Sequence, residues 1–232
     1  MTQRYYAPDL GDIFPDVTLS TEESTHATRV MRVVEGDHLT LFDGQGRQAN
    51  GHVIDANRRA CVVRCQSLKQ IDRMPGRKLI MAVAMPKADR AKDMIERLTE
   101  LGVTHVIPVV FEHSQRAPSD GLLNKLRRAS LESCKQCGRN SLMQISSPRR
   151  FRDILSDEAP IRLLASPAAP AASWQVLQAT QPTQVLIGPE GGLSACEVAQ
   201  ARQHGFDEIG LGGRVLRIET AAMTLAARLL WD

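Results

Sequence analysis

From Leu79 onward the sequence repeats one pattern: a short continuous apolar run, then a segment with apolar residues three and four apart, then another apolar run. Leu79 to Met85 is the first run. Met94, Ile95, Leu98 and Leu101 share one face of the helix that follows, Gly102 ends it, and Val103 to Phe111 supplies the next strand. Strand, helix and strand in that order make a βαβ unit with parallel strands. The alternation goes on through a basic helix from about Ser119 to Cys137, a strand Ile161 to Ala165, a short helix around Trp174 and a strand Gln184 to Gly188. A helix Ser194 to His204, a strand Phe206 to Leu211 and a terminal helix Glu219 to Trp231 complete it. Runs that are apolar throughout belong to strands covered on both faces. The expected fold is α/β, a parallel sheet with helices on both sides.

The first 70 residues follow a different plan. Ser20-Thr21-Glu22-Glu23 has capping-box spacing, and Ala27, Val30, Met31 and Val34 continue at helical intervals until Gly36. Strands then replace the helix: His38 to Phe42 enters the turn Asp43-Gly44-Gln45-Gly46, Gly51 to Asp55 returns, and Ala60 to Cys65 follows Asn57. Short strands at this interval predict a small barrel or curled sheet. The polar stretch Lys69 to Lys78, with Pro75-Gly76, marks a boundary, dividing the chain into a domain of residues 1–72 and one of residues 73–232.

Composition narrows the possible partners. With 232 residues, 43% hydrophobic and 24% charged, the chain can bury a core and is neither collagen, coiled coil nor a disordered tract. Leu79 to Met85 is too short to cross a bilayer and Met1 to Tyr6 lacks a signal-peptide core, so no membrane partner and a cytoplasmic location are expected. The odd count of 5 cysteines points to reduced thiols. Cys134 and Cys137 sit on one side of a helix, and with no second pair at ligand spacing no metal is expected. Charge is uneven: residues 1–72 hold 8 Lys/Arg against 10 Asp/Glu, whereas Arg116 to Arg152 carries 9 basic residues against Asp120 and Glu132. Such a segment can track a phosphate backbone or form a solvated helix face. Aromatics, at 4%, are too scarce for a base-stacking platform.

In open α/β sheets ligands lie beyond the carboxyl ends of the strands. Two loops there are rich in glycine: Ile187-Gly188-Pro189-Glu190-Gly191-Gly192-Leu193-Ser194, and Leu211-Gly212-Gly213-Arg214-Val215-Leu216-Arg217-Ile218-Glu219-Thr220. Neither contains the Gly-Lys-Ser/Thr of a P-loop, and Val215 stands where a dinucleotide fingerprint needs its third glycine. Each alone reads as turn chemistry. Together, one bearing Glu190 and the other Arg214, Arg217 and Glu219, they outline a cleft with main-chain donors and charge.

These two segments resemble the RsmE family of SPOUT methyltransferases, which use S-adenosylmethionine to methylate N3 of a uridine in small-subunit ribosomal RNA. Lys87-Ala88-Asp89-Arg90, Thr99-Glu100-Leu101-Gly102-Val103, Cys134 to Asn140, His26, Arg29 to Arg32 and Phe42-Asp43-Gly44 are also similar to family segments, so the resemblance spans nearly the whole chain. It departs at Arg97, His113 and Lys135. The resemblance implies a C-terminal SPOUT domain with a deep trefoil knot, an N-terminal PUA-like β-barrel and a homodimer with cofactor pockets at the subunit interface. It places the cofactor among three loops: Leu164 and Ala165; Ile187, Gly188, Pro189, Glu190, Gly191 and Gly192; and Leu211, Gly212, Arg214 and Leu216.

The implied chemistry needs a uridine that has lost its N3 proton, so a cation beside the ring is expected. Arg217 is the first nominee and Arg139 the second; a carboxylate base, Glu190 or Glu219, competes with helix-capping and loop-ordering roles for the same residues. RNA-contact candidates are Arg29, Arg32, Arg58, Arg59 and Arg64 in the first domain and Lys87, Arg116, Lys125, Arg128, Lys135 and Asn140 in the second. The partner would be small-subunit ribosomal RNA or the assembled small subunit. A non-catalytic assembly factor and a ribose methyltransferase acting on transfer RNA are the alternatives.

Overall fold

The computed structural model describes residues 3–71, 73–114, 116–167, 169–170 and 180–230. The expected helix around Trp174, and Trp231, lie outside them. The chain divides into two compact units, one of Met1–Met74 with Leu131–Leu142 and one of Pro75–Ser130 with Met143–Asp232.

In the first unit, strands β1 (Gln3–Tyr6), β2 (Asp16–Thr18), β3 (His38–Phe42), β4 (Arg47–Asp55) and β5 (Val62–Gln70) form one sheet in the order β1-β3-β4-β5-β2. Only β1 and β3 run parallel; the β3–β4, β4–β5 and β2–β5 pairs are antiparallel. Alternation shows in β5, where Val63 and Cys65 are buried while Arg64 and Gln66 face out. The inward set, with Tyr5, Leu10, Val17, Leu39, Leu41 and Val53, forms one core.

The expected helix after Ser20 is shorter than its pattern. The Ser20 hydroxyl does accept the Glu23 amide at 3.2 Å, opening α1 (Thr21–Thr25). The chain then widens into a π-helical turn, His26–Val30, and Arg32 takes a left-handed φ of 56°. That reversal carries Met31 and Val34 away from the face, so Ala27 is buried while Val30, Met31 and Val34 are exposed. The strands β1 and β2, of 4 and 3 residues, gave too little periodicity to anticipate.

The second unit holds β6 (Leu79–Val83), α2 (Ala88–Glu100), β7 (His105–Val110), α3 (Asp120–Cys137), β8 (Gln144–Ile145), β9 (Arg149–Arg150), α4 (Phe151–Ile154), β10 (Ile161–Ala165), β11 (Thr183–Ile187), α5 (Ala195–Gln203), β12 (Asp207–Ile209) and α6 (Ile218–Leu230); residues of α3 from Leu131 on belong to the first unit. Its sheet runs β12-β10-β11-β6-β7-β8, with β9 also on β7, and every pairing is parallel. The central strands read as they do because both faces are covered: Val185, Leu186, Met81 and Ala82 are fully buried, with Met94, Ile95 and Leu98 of α2 and Ala222, Leu225 and Ala226 of α6 against them. Burial of each large aliphatic side chain contributes about 1.5–3 kcal/mol. Gly102, at φ +90°, stops α2 while the Val103 amide bonds the Leu98 carbonyl at 3.0 Å. Two-residue β8 and β9 and the single turn of α4 carry no pattern a sequence could show.

None of the five cysteines is in a disulfide. Cys134 is buried and Cys137 exposed, so the two thiols of Cys-x-x-Cys do not share an environment as the helix spacing suggested. Among the described residues no cluster of three or more His, Cys, Asp or Glu could hold a metal, and no helix is long and apolar enough to cross a membrane.

Candidate functional site

The carboxyl ends of β10, β11 and β12 lie side by side, with Leu164 opposite Leu186 and Ala165 opposite Ile209. Their loops are tied at the roots: Ser166 donates its amide to the Ile209 carbonyl at 3.0 Å and Gly210 to the Pro170 carbonyl at 2.8 Å. Gly210 is required here, since a Cβ would stand 2.0 Å from the Ala169 carbonyl oxygen. Between the loops lies a cleft of about 300 Å³. Leu164, Ile187, Leu193, Val198, Ile209, Leu211 and Leu216 make its walls apolar, while Ser166, Glu190 and Arg214 bring polar groups to it. An apolar cavity with a few convergent polar groups is the usual form of a small-molecule site.

Most of the cofactor candidates meet here. Leu164, Ala165, Ile187, Gly188, Pro189, Glu190, Gly192, Leu211, Arg214 and Leu216 all line the cleft. Gly191 lines a neighbouring cavity instead, and Gly212 is exposed, turning its loop at φ +103°. Pro167, Val198, Val215, Ile218 and Ala221 complete the lining; of these only Val215 and Ile218 fall in the glycine-rich segments.

The second cavity, about 450 Å³, shares Pro189, Glu190 and Ile218 with the first, so the Glu190 segment is the wall between them. Lys87, His113, Ser114 and Arg116 border it, and a His113 ring nitrogen lies 3.1 Å from the Gly192 carbonyl. Both Lys87 and Arg116 are exposed there, and Lys125 and Arg128 are exposed along α3.

Charge at the wall is organised by a residue that the glycine patterns did not single out. Arg90, in the first turn of α2, holds Glu190 at 2.7 Å and Glu219 at 3.6 Å. The hydrogen bond it donates to Glu190 foremost, with burial opposing, raises the guanidinium above its ordinary pKa. Glu219 is buried and its second oxygen has no hydrogen-bond partner among the described residues. Pairing across 100 and 129 positions leaves no local signal; the family-like fragment Lys87-Ala88-Asp89-Arg90 is the available hint.

Several nominated residues are placed elsewhere. Arg217 is exposed and is not among the residues lining the cleft; Arg214, three residues earlier in the same loop, is. Arg139 is buried in the first unit, its Nε donating to the Ser141 carbonyl at 2.5 Å. Asn140, an expected RNA contact, is 1% exposed: its amide donates to Gln48 Oε1 and the Ile71 carbonyl and accepts from Arg4, which leaves nothing for a ligand. Lys135, another, is packed between Glu23 at 2.5 Å and Glu132 at 2.9 Å. Burial pushes the Glu23 carboxyl up despite that lysine, while the two carboxylates raise Lys135 against its own desolvation. Arg64 is spent on a two-pronged ion pair with Asp16, whose carboxyl its hydrogen bonds hold below the usual range. Arg29, Arg32, Arg58 and Arg59 remain exposed on the first unit, where the Arg58 and Arg59 carbonyls accept hydroxyls from Thr25 and Thr21 of α1.

The chain thus combines a parallel sheet that carries a ligand cleft at its carboxyl end with a separate small β-rich unit, the two-part plan of an α/β enzyme with an added module. Residues 73–230 match the RNA methyltransferase domain model and residues 19–64 the RNA methyltransferase PUA domain model. A methyltransferase of Legionella pneumophila, solved with bound SAM, has 29% identity and superposes with a TM-score of 0.89 over 99% of this chain and 97% of that one. The Ribosomal RNA small subunit methyltransferase E of Neisseria gonorrhoeae, bound to S-adenosyl methionine, has 25% identity and a TM-score of 0.85 over 98% of this chain and 96% of that one. The protein of the same name from Mesomycoplasma hyopneumoniae is 32% identical over 163 residues, covering 68% of this chain and 71% of the relative. This chain belongs to the ribosomal RNA small subunit methyltransferase E family.

Proposed function

We propose that this chain transfers a methyl group from S-adenosylmethionine to N3 of a uridine in small-subunit ribosomal RNA. The observation that carries the reading is the cleft among the three strand-end loops. Its residues fit the donor: Leu164, Ile187, Leu211 and Leu216 offer apolar walls to a purine, and glycines at 188 and 192 leave backbone uncovered for polar recognition. The two relatives solved with that molecule share the fold that builds this cleft. When bound, S-adenosylmethionine supplies a methyl group on a cationic sulfur.

The remaining work concerns the acceptor. Uridine N3 carries a proton and becomes nucleophilic when that proton leaves. An arginine beside a partly desolvated ring depresses such a pKa by roughly 1–3 units, worth about 1.4–4 kcal/mol. Arg214, on the cleft, and Arg217, exposed three residues later in the same loop, make no ion pair among the described residues and are free for this role. Glu190 and Glu219 are committed to Arg90, so the N3 proton passes to water in this reading. Arg139 keeps a structural place.

The acceptor nucleotide enters the second cavity, with Lys87 and Arg116 on its phosphates. Lys125 and Arg128 extend the track, while Arg29, Arg32, Arg58 and Arg59 clamp the RNA from the first unit. The working form is a cytoplasmic homodimer, with an RNA-binding part up to residue 72, a knotted catalytic part beyond it, and ribosomal RNA or the assembled small subunit as partner. Calorimetric titration with S-adenosylmethionine tests the donor site: saturable one-to-one binding per chain is expected, and no heat at millimolar donor would refute it.

A further inference from the structure

Three segments far apart in sequence meet at Arg90: the first turn of α2, the glycine loop after β11 and the first turn of α6. Glu190 is half-exposed and Glu219 is buried, and one guanidinium faces both. Without it, two carboxylates would confront each other across the loop, and Glu190 would turn to water. The loop it anchors has Gly188, Gly191 and Gly192 within 5 residues, so its intrinsic entropy is high and a fixed shape needs a tether. The tethered residue is the wall shared by the two cavities.

We infer that Arg90 is a positioning residue for methyl transfer: by holding Glu190 against α2 and α6 it fixes the partition across which donor and acceptor must face each other. The inference rests on the methyl-transfer reading. Arg90 is not expected to touch the reacting atoms. It acts through the loop, setting the approach distance and angle, to which transfer rates are steep. The planar fork serves two carboxylates at once, which a lysine ammonium on a flexible stem does not reproduce.

The test is R90K, R90Q and E190Q, singly and as the R90Q/E190Q pair, in the full-length chain. It reads kcat, KM for donor and for small subunits, and the melting midpoint. For R90K the expectation is a fall in kcat of at least about tenfold, with KM for small subunits unchanged and the midpoint within about 3 °C of the parent. The pair should lose no more kcat than R90Q alone, since both changes release the same tether. A residue that merely stabilises the fold would lower the midpoint and leave kcat per folded chain intact, which would overturn the inference; so would kcat losses that add in the pair. Failure of the unaltered chain to bind donor would refute the methyl-transfer reading itself, and is distinguished because it appears before any substitution.

Discussion

Replacing Gly210 by alanine probes the geometry of the cleft most sharply. The new Cβ would stand 2.0 Å from the Ala169 carbonyl oxygen and 2.9 Å from the Pro170 carbonyl oxygen, both backbone atoms. Normal carbon–oxygen contact then demands a shift of roughly 1 Å, which breaks the 2.8 Å bond from the Gly210 amide to Pro170. Overpacking costs about 1–3 kcal/mol and the lost hydrogen bond about 1, giving about 2–4 kcal/mol in all. Because the strained atoms form the floor of two cleft loops, the strain falls largely on the donor site, weakening binding by about 30- to 1000-fold. For stability alone Gly188→Ala is the comparison: its Cβ would meet Leu193 Cδ1 at 2.2 Å, the far end of a side chain that can rotate away. Its expected cost is below about 1.5 kcal/mol. Titration calorimetry with S-adenosylmethionine and thermal melts of both variants give the numbers. G210A binding as tightly and melting as high as the parent would refute the close crossing.

Two further outcomes follow from buried charge. Lys135→Met leaves Glu23 buried without its cation and should cost about 2–4 kcal/mol by denaturant titration, with E23Q in the same chain recovering most of the loss. His105 is held below its ordinary value of 6.5, by burial first and by Arg149 second, with its Nε2 2.6 Å from the Ser146 hydroxyl. A depressed folded pKa gives stability that is present above pH 6.5 and lost as pH falls through the folded value, so melting midpoints should drop on acidification and His105→Asn should flatten that slope.

The parts of this molecule that were legible in its sequence are those built from local pattern. Helix α2 shows its buried face through Met94, Ile95 and Leu98 and its end through Gly102, and β10 runs from Ile161 to Ala165 as its apolar run predicts. The strand-end glycines pointed to the cleft because a ligand site in a parallel sheet has a fixed address. What stayed hidden depends on contacts between distant residues. Lys135, Arg139 and Asn140 look like surface residues in a basic stretch, yet each is buried or paired within the first unit. Arg90 finds its carboxylates at positions 190 and 219, and no spacing rule joins them. In the segment after Ser20 helical periodicity was present but misleading, because a π-turn and a left-handed Arg32 redirected the chain.

The most direct measurement of the central claim is methyl transfer to purified small subunits that lack the modification, followed by mass mapping of the ribosomal RNA. The account predicts one labelled uridine per subunit, with the methyl group on the base at N3 and none in the absence of the chain. A label on a ribose oxygen, or no label from a folded chain that binds the donor, would contradict it.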